Sequence, residues 1–108
     1  YGAIPCTRDM TEAEIEGEYE LNTGKVIAEC FDSRSIDPEA VPAVLVRSHG
    51  PFTWGKSAAE AAKNSAVLEA VAKDAYLSER MNAPAASIFL QKKHYFRKHG
   101  ANAYYGQK

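Results

Sequence analysis

The segment LVRSHGPFTWG, Leu45–Gly55, joins an apolar strand pattern to a lone histidine and a glycine-bounded turn. The run Ala43–Val46 is short, apolar and rich in β-branched residues, which favours a buried strand. The Gly-Pro pair at 50–51 is expected to end that strand, and Ser57 with Glu60 has the spacing of a capping box that starts a helix. Strand, histidine, turn and helix within about fifteen residues are typical of α/β proteins.

His49 lies at the end of this predicted strand and has two interpretations. Functional groups of α/β proteins often lie where a strand runs into a loop, and neutral imidazole is a common metal ligand. One histidine without partners has no metal-site spacing, so a structural or solvated role is the simpler interpretation. The residues alone leave both open.

The composition limits the classes of protein to which the chain can belong. Its 108 residues, 45% hydrophobic and 25% charged, predict one small globular domain. A net charge of −1 with interspersed signs favours neither nucleic acid nor a membrane surface as a partner, and no apolar stretch approaches the roughly 20 residues that cross a bilayer. Cys6 and Cys30 lack metal-type spacing and indicate reduced thiols in a cytoplasmic protein, with a disulfide as the alternative.

Two helices are expected before the strand. Thr11 and Glu14 form a capping box that starts a short helix, and Gly17 should end it. Thr23 is expected to cap a second helix over residues 24–33, with one apolar stripe toward the core.

Two more helices are expected after it. An alanine-rich helix should run from Ser57 to about Met81, and a last helix from about Ala85 to His99, stopped by Gly100. The last helix carries a basic group that favours a solvated face over a phosphate site: Lys92, Lys93, Arg97 and Lys98. The tail that follows has adjacent tyrosines, so we expect it to dock on another surface.

Three stretches of the chain also carry a family resemblance: YGAIPCT at 1–7, VRSHGPFTWGK at 46–56 and KHYFRKHGANAYYGQ at 93–107. They closely resemble the L-ribulose-5-phosphate 4-epimerases, which belong to the class II aldolase and adducin superfamily. The His-Gly-Pro element is shared across that superfamily, whereas the closing motif separates the epimerases from the related aldolases.

This resemblance implies an α/β, layered class II aldolase-like fold, a β-sheet flanked by helices. It covers essentially the whole chain, and we expect residues 1–108 to be the C-terminal part of a single class II aldolase/epimerase domain whose N-terminal half is missing. Further metal ligands, the phosphate-binding loops and an acid/base aspartate would then lie before Tyr1.

The resemblance also implies a role for individual residues. His49 resembles a ligand of Zn²⁺ or another divalent metal, and Glu20 resembles a carboxylate close to that metal. His94 resembles an active-site histidine from an adjoining subunit, and Tyr105 resembles the tyrosine acid/base of the family. On the residues alone, Glu20 also reads as a solvated side chain and His94 as a helix-surface histidine.

The implied function is a metal-dependent isomerase of carbohydrate metabolism. It would interconvert L-ribulose 5-phosphate and D-xylulose 5-phosphate by C3–C4 cleavage and re-addition, in cytoplasmic arabinose and pentose catabolism, as a homotetramer with active sites at subunit interfaces. Two alternatives stay open: a class II sugar-phosphate aldolase of the L-fuculose-phosphate type, and a non-catalytic adducin-like interaction module. The 108 residues alone are expected to be inactive and to hold no stoichiometric zinc.

Overall fold

The computed structural model describes residues 1–106, in which two helices are followed by a β-hairpin and then by two more helices. The elements are α1 (Glu12–Glu16), α2 (Tyr19–Ser33), β1 (Ala43–Val46), β2 (Gly50–Thr53), α3 (Ala58–Arg80) and α4 (Ile88–Phe96). This mixture of helices with a small antiparallel sheet agrees with the expected α/β class. Gln107, the last residue of the closing motif, lies outside the described residues.

The predicted strand Ala43–Val46 is confirmed, but the Gly-Pro pair does not end the sheet. Gly50 and Pro51 instead begin β2, which pairs antiparallel with β1 in the register Ala43↔Thr53 and Val46↔Gly50. The turn between the strands is made by residues 47–49, where Ser48 takes a positive φ of 61°.

Pro51 is tolerated in β2 because of the direction in which its partner Leu45 faces. The Leu45 N–H donates to the Pro5 carbonyl at 2.9 Å, and the Leu45 carbonyl accepts from the Thr7 N–H at 2.9 Å. Both polar groups of Leu45 therefore point away from β2, so the missing N–H of Pro51 costs no ladder bond. The sequence analysis took Pro51 as the end of the strand. The proline instead occupies a strand position whose N–H would have no partner in β1.

The first residues of the chain flank β1 on its other side. There an isolated parallel bridge joins Cys6 to Leu45. The Arg47 N–H also donates to the Thr7 hydroxyl at 3.1 Å, which continues the contact past the end of β1. β1 thus has chain on both sides and becomes the central element of the fold.

α1 follows the prediction, whereas α2 begins earlier than expected. The Thr11 capping box is present, and Gly17 ends α1. α2 begins at Tyr19 rather than Gly24, so Thr23 lies inside the helix. At a helix start its hydroxyl would accept from a backbone N–H. Inside α2 it instead donates to the Tyr19 carbonyl at 2.8 Å.

α3 has the predicted bounds because its first turn is capped as expected. The Ser57 hydroxyl accepts from the Glu60 N–H at 3.2 Å, while the Glu60 carboxylate accepts from the Lys56 N–H at 2.7 Å. In α3 only Leu68 is buried. Within the described part of the chain, no helix combines the length and apolarity that a membrane crossing requires.

α4 is shorter than the predicted Ala85–His99 helix. Ser87 caps it by accepting from the Phe89 N–H at 3.3 Å, so the preceding residues stay outside. The helix ends at Phe96, and Gly100 follows with a φ of 95°.

The core lies between α2 and β1. Val44 is fully buried there, and the Phe31 ring packs edge-on against the Trp54 ring with centroids 5.4 Å apart. The cluster consists of Phe31, Val41, Val44 and Val46, with Ile4, Ile27, Ile36 and Trp54 packed against it. By contrast, large apolar side chains of α3 and α4 are exposed, among them Val67, Val71, Leu77, Ile88 and Phe89.

Replacing Phe31 by alanine should destabilise the fold strongly. Phe31 is only 5% exposed, so Phe31→Ala removes buried ring contacts and leaves a cavity. We expect the free energy of unfolding to fall by about 3 to 5 kcal/mol, up to complete loss of folding. Urea denaturation followed by circular dichroism measures the change.

The matched control is Ile15→Ala in α1, because Ile15 is 51% exposed. It should change the free energy of unfolding by no more than about 0.5 kcal/mol. Equal losses for the two variants would show that the core does not lie where the structure puts it.

Candidate functional site

His49 lies in the hairpin turn, just beyond the central strand. Its N–H donates to the Val46 carbonyl at 3.0 Å, which closes the turn. Its ring stacks on Phe52 of β2 with centroids 5.3 Å apart and planes 25° apart, and its side chain is exposed. The fold therefore leaves His49 exposed to solvent while its ring stacks on Phe52.

The first turn of α2, which carries Glu20, lies beside this hairpin turn. The Tyr19 ring is 6.4 Å from the His49 ring. Glu20 itself is exposed, and within residues 1–106 no hydrogen bond or ion pair joins it to His49. The structure brings the two elements together without a direct contact between the two predicted site residues.

The hairpin turn is also held by Asp9. The Ser48 hydroxyl donates to one Asp9 carboxylate oxygen at 3.3 Å, and the Arg47 guanidinium lies 3.9 Å from the other. The sequence analysis did not identify this role. An acidic residue 39 positions before Ser48 gives no local signal, because only folding brings the two together.

Arg8, next to Asp9, joins both helices that precede β1. Its guanidinium makes two bonds of 2.9 Å to the Glu14 carboxylate of α1. It also donates to Glu29 of α2, with a closest approach of 2.8 Å. Residues 8 and 9 thus fix α1, α2 and the hairpin turn relative to one another.

These contacts shift the ionisation of all three partners. Hydrogen bonds from Arg8, and then from the Thr11 N–H, lower the pKa of Glu14 to about 2. The bond from Arg8 lowers the pKa of Glu29, and the two carboxylates raise the pKa of Arg8. The charged forms are therefore the stable ones in the folded chain.

Tyr105 lies against the end of α4 in its own chain. The Arg97 carbonyl accepts from the N–H groups of Tyr104 and Tyr105, at 2.9 and 2.8 Å. The Arg97 guanidinium lies over the Tyr105 ring, 4.5 Å from its centroid, and the Lys98 ammonium is 5.6 Å away. The ring is still 53% exposed, so this docking leaves one face open.

The predicted site residues form two separate groups. His49 and Glu20 lie near the hairpin turn, whereas His94 is exposed on α4 and Tyr105 lies past its end. In the part of the chain that the structure describes, no hydrogen bond, ion pair or ring contact joins one group to the other.

The residues present do not by themselves fit a metal centre. Protein zinc sites use at least three protein ligands, usually of histidine, cysteine, aspartate or glutamate. Across residues 1–106, no three such side chains lie close enough together to hold a metal ion. His49 would provide one ligand at most.

A protein-family model described as the Class II Aldolase and Adducin N-terminal domain matches the chain. The match spans residues 1–76, about two thirds of the chain. It includes Glu20 and His49, while His94 and Tyr105 lie beyond it.

Acid should weaken the fold through Glu14. In the unfolded chain this carboxyl has its ordinary pKa of 4.5, whereas in the folded chain the value is about 2. The stabilisation is complete above the unfolded value and is lost as pH falls toward the folded value. Between about pH 5 and about pH 3, wild type should therefore lose more stability than Glu14→Gln, which has no carboxyl at this position.

Urea midpoints at the two pH values measure this difference. Glu12→Gln is the matched control, because Glu12 lies in the same first turn and takes no part in the Arg8 contacts. It keeps the Arg8–Glu14 contacts, so it should still lose stability between the two pH values. The assignment is wrong if Glu14→Gln and wild type lose the same stability.

Proposed function

The chain belongs to the class II aldolase and adducin family, and from this membership we propose that it forms part of an L-ribulose-5-phosphate 4-epimerase. Membership supports an aldolase- or epimerase-like activity in general. The choice of the epimerase rests on the closing motif at 93–107, which lies outside the matched residues and resembles the epimerases more closely than the aldolases.

The observation that carries the proposal is the exposed position of His49 in the hairpin turn. The matched region includes this histidine in a His-Gly-Pro element, and the fold leaves its imidazole accessible beside the first turn of α2. Glu20 in that turn is a second accessible polar group. We propose that these two residues face the sugar phosphate, His49 as one ligand of a divalent metal whose remaining ligands lie outside this chain's described residues.

The reaction itself requires a carbon–carbon bond to break. C4 of the substrate carries no acidic proton, so simple deprotonation cannot invert it. Loss of the proton from the C4 hydroxyl lets the C3–C4 bond break, giving an aldehyde and a three-carbon enediolate that keeps the electron pair. The aldehyde then turns its other face, the enediolate adds again, and the new C4 alkoxide takes up a proton.

Tyr105 is the residue that we propose for one of these proton transfers. A phenol held at a fixed place can give a proton to the developing alkoxide and recover it in the reverse direction. The two backbone bonds to Arg97 and the guanidinium over the ring provide that fixed place. A group on the opposite face of the aldehyde would complete the pair.

We further propose that each active site combines two subunits of a homotetramer. His49 and Tyr105 have no contact within residues 1–106, and each is exposed in its own chain. An oligomer with closed symmetry would repeat the same His49-to-Tyr105 junction at every interface. His94, exposed on α4, would enter from the same side as Tyr105.

The proposal is tested with a chimeric chain in which the residues before Tyr1 come from an L-ribulose-5-phosphate 4-epimerase. We expect it to convert L-ribulose 5-phosphate into D-xylulose 5-phosphate. Tyr105→Phe should lower kcat by at least about 100-fold, because the proton donor is lost. Tyr104→Phe is the matched control and should keep near wild-type activity.

The products distinguish the alternatives. Release of free glycolaldehyde phosphate as the main product would identify an aldolase of the L-fuculose-phosphate type. A folded chimera that neither cleaves nor epimerises the sugar would favour an adducin-like interaction module. Equal activities of the Tyr104 and Tyr105 variants would contradict the role given to Tyr105.

The shared site is tested by mixing two inactive chimeras, His49→Ala and Tyr105→Phe. Where a Tyr105→Phe subunit supplies His49 and its neighbour supplies Tyr105, one site has both groups intact. Random mixing in a cyclic assembly should restore about a quarter of the wild-type sites. Verified mixed oligomers without recovered activity would show that both groups come from one chain.

A further inference from the structure

A cavity of about 560 Å³ lies between the start of α3, the end of α4 and the loop before β1. Its size falls in the range of pockets that hold small organic ligands. None of the predicted site residues lines it. Neither the family match nor the proposed epimerase chemistry gives it a role.

Aromatic side chains line part of this cavity. The Tyr95 ring packs between two others: its centroid lies 4.4 Å from that of Tyr1, to which it is tilted by 35°, and it stacks on His99 at 4.7 Å. Trp54 lines the cavity as well, and its indole N–H donates to the Pro38 carbonyl at 2.9 Å, which fixes its orientation. The fixed Trp54 indole offers a flat surface for a planar ligand.

Lysine side chains line the cavity as well. Lys56 and Lys63 line the cavity, and within residues 1–106 neither forms an ion pair. Two carboxylates are nearby: Glu39, and Glu60, which accepts from the Lys56 backbone N–H at 2.7 Å. Lys98 also lines the cavity, so its lining contains three lysines and two carboxylates.

We propose that this cavity binds a small planar anion, an aromatic ring that carries a phosphate group. The phosphate would lie between Lys56 and Lys63, whose ammonium groups make strong charge-assisted hydrogen bonds to phosphate oxygens. The ring would pack against Trp54. Neither the phosphate contact nor the ring contact alone gives much binding energy, so tight binding requires a ligand that carries both groups.

Phenyl phosphate is the probe, and the indole N–H signal of Trp54 in ¹H–¹⁵N NMR spectra is the reporter. Trp54 is the single tryptophan of the chain, so its signal is unique. We expect a saturable shift with a Kd on the order of 1 mM. Inorganic phosphate alone and benzyl alcohol alone should each bind clearly more weakly.

Lys63→Gln should weaken phenyl phosphate binding about two- to fivefold, since it removes a charge from the rim of the cavity. Lys73→Gln, also on α3 but not among the lining residues, is the matched control and should bind like wild type. Circular dichroism checks that both variants fold.

Three results would overturn the proposal. They are the absence of a saturable shift up to about 10 mM phenyl phosphate, equal affinities of the two lysine variants, and binding of inorganic phosphate as tight as that of phenyl phosphate. The last result would show that the aromatic wall contributes nothing. None of the residues proposed for the epimerase reaction lines the cavity, so failure of the epimerase proposal would leave this result unchanged.

Discussion

The backbone of Leu45 faces Pro5 and Thr7 rather than β2, and the rest of the fold depends on this direction. It makes β1 a central strand, with the chain start on one side and the hairpin partner on the other. It also permits Pro51 in β2, because no donor is needed there. The hairpin turn, and His49 with it, is thereby fixed at the end of the central strand.

The charged segment at residues 8–9 extends this constraint to the helices. Arg8 binds carboxylates from α1 and α2, and Asp9 binds the hairpin turn. All of these charged groups are at least partly exposed, so their contacts add little to stability and serve mainly to position the elements they join. Together they hold the first turn of α2 beside the turn that carries His49, which is the arrangement on which the proposed site depends.

Sequence patterns within a few residues predicted much of the fold. The errors arose where the structure depends on contacts between residues that are distant in the sequence. The strand Ala43–Val46 and the two capping-box helices were predicted correctly because their patterns lie within a few residues. The prediction at Pro51 was wrong because whether a proline fits this strand depends on how Leu45 is paired. The prediction at Thr23 was wrong because its hydroxyl donates to a carbonyl inside the helix instead of capping a helix start. The exposure of His49 agrees with either interpretation of that residue, but its neighbours come from distant positions that no local pattern reveals.

The central claim is that this chain carries only one part of a divided active site. Zinc content after dialysis of the purified chain against zinc-containing and then zinc-free buffer tests that claim most directly. With His49 as the one metal ligand that we assign, the account predicts far less than one zinc per chain, equal for wild type and His49→Ala. One zinc per wild-type chain, lost in His49→Ala, would contradict it and show that the chain assembles a complete metal site.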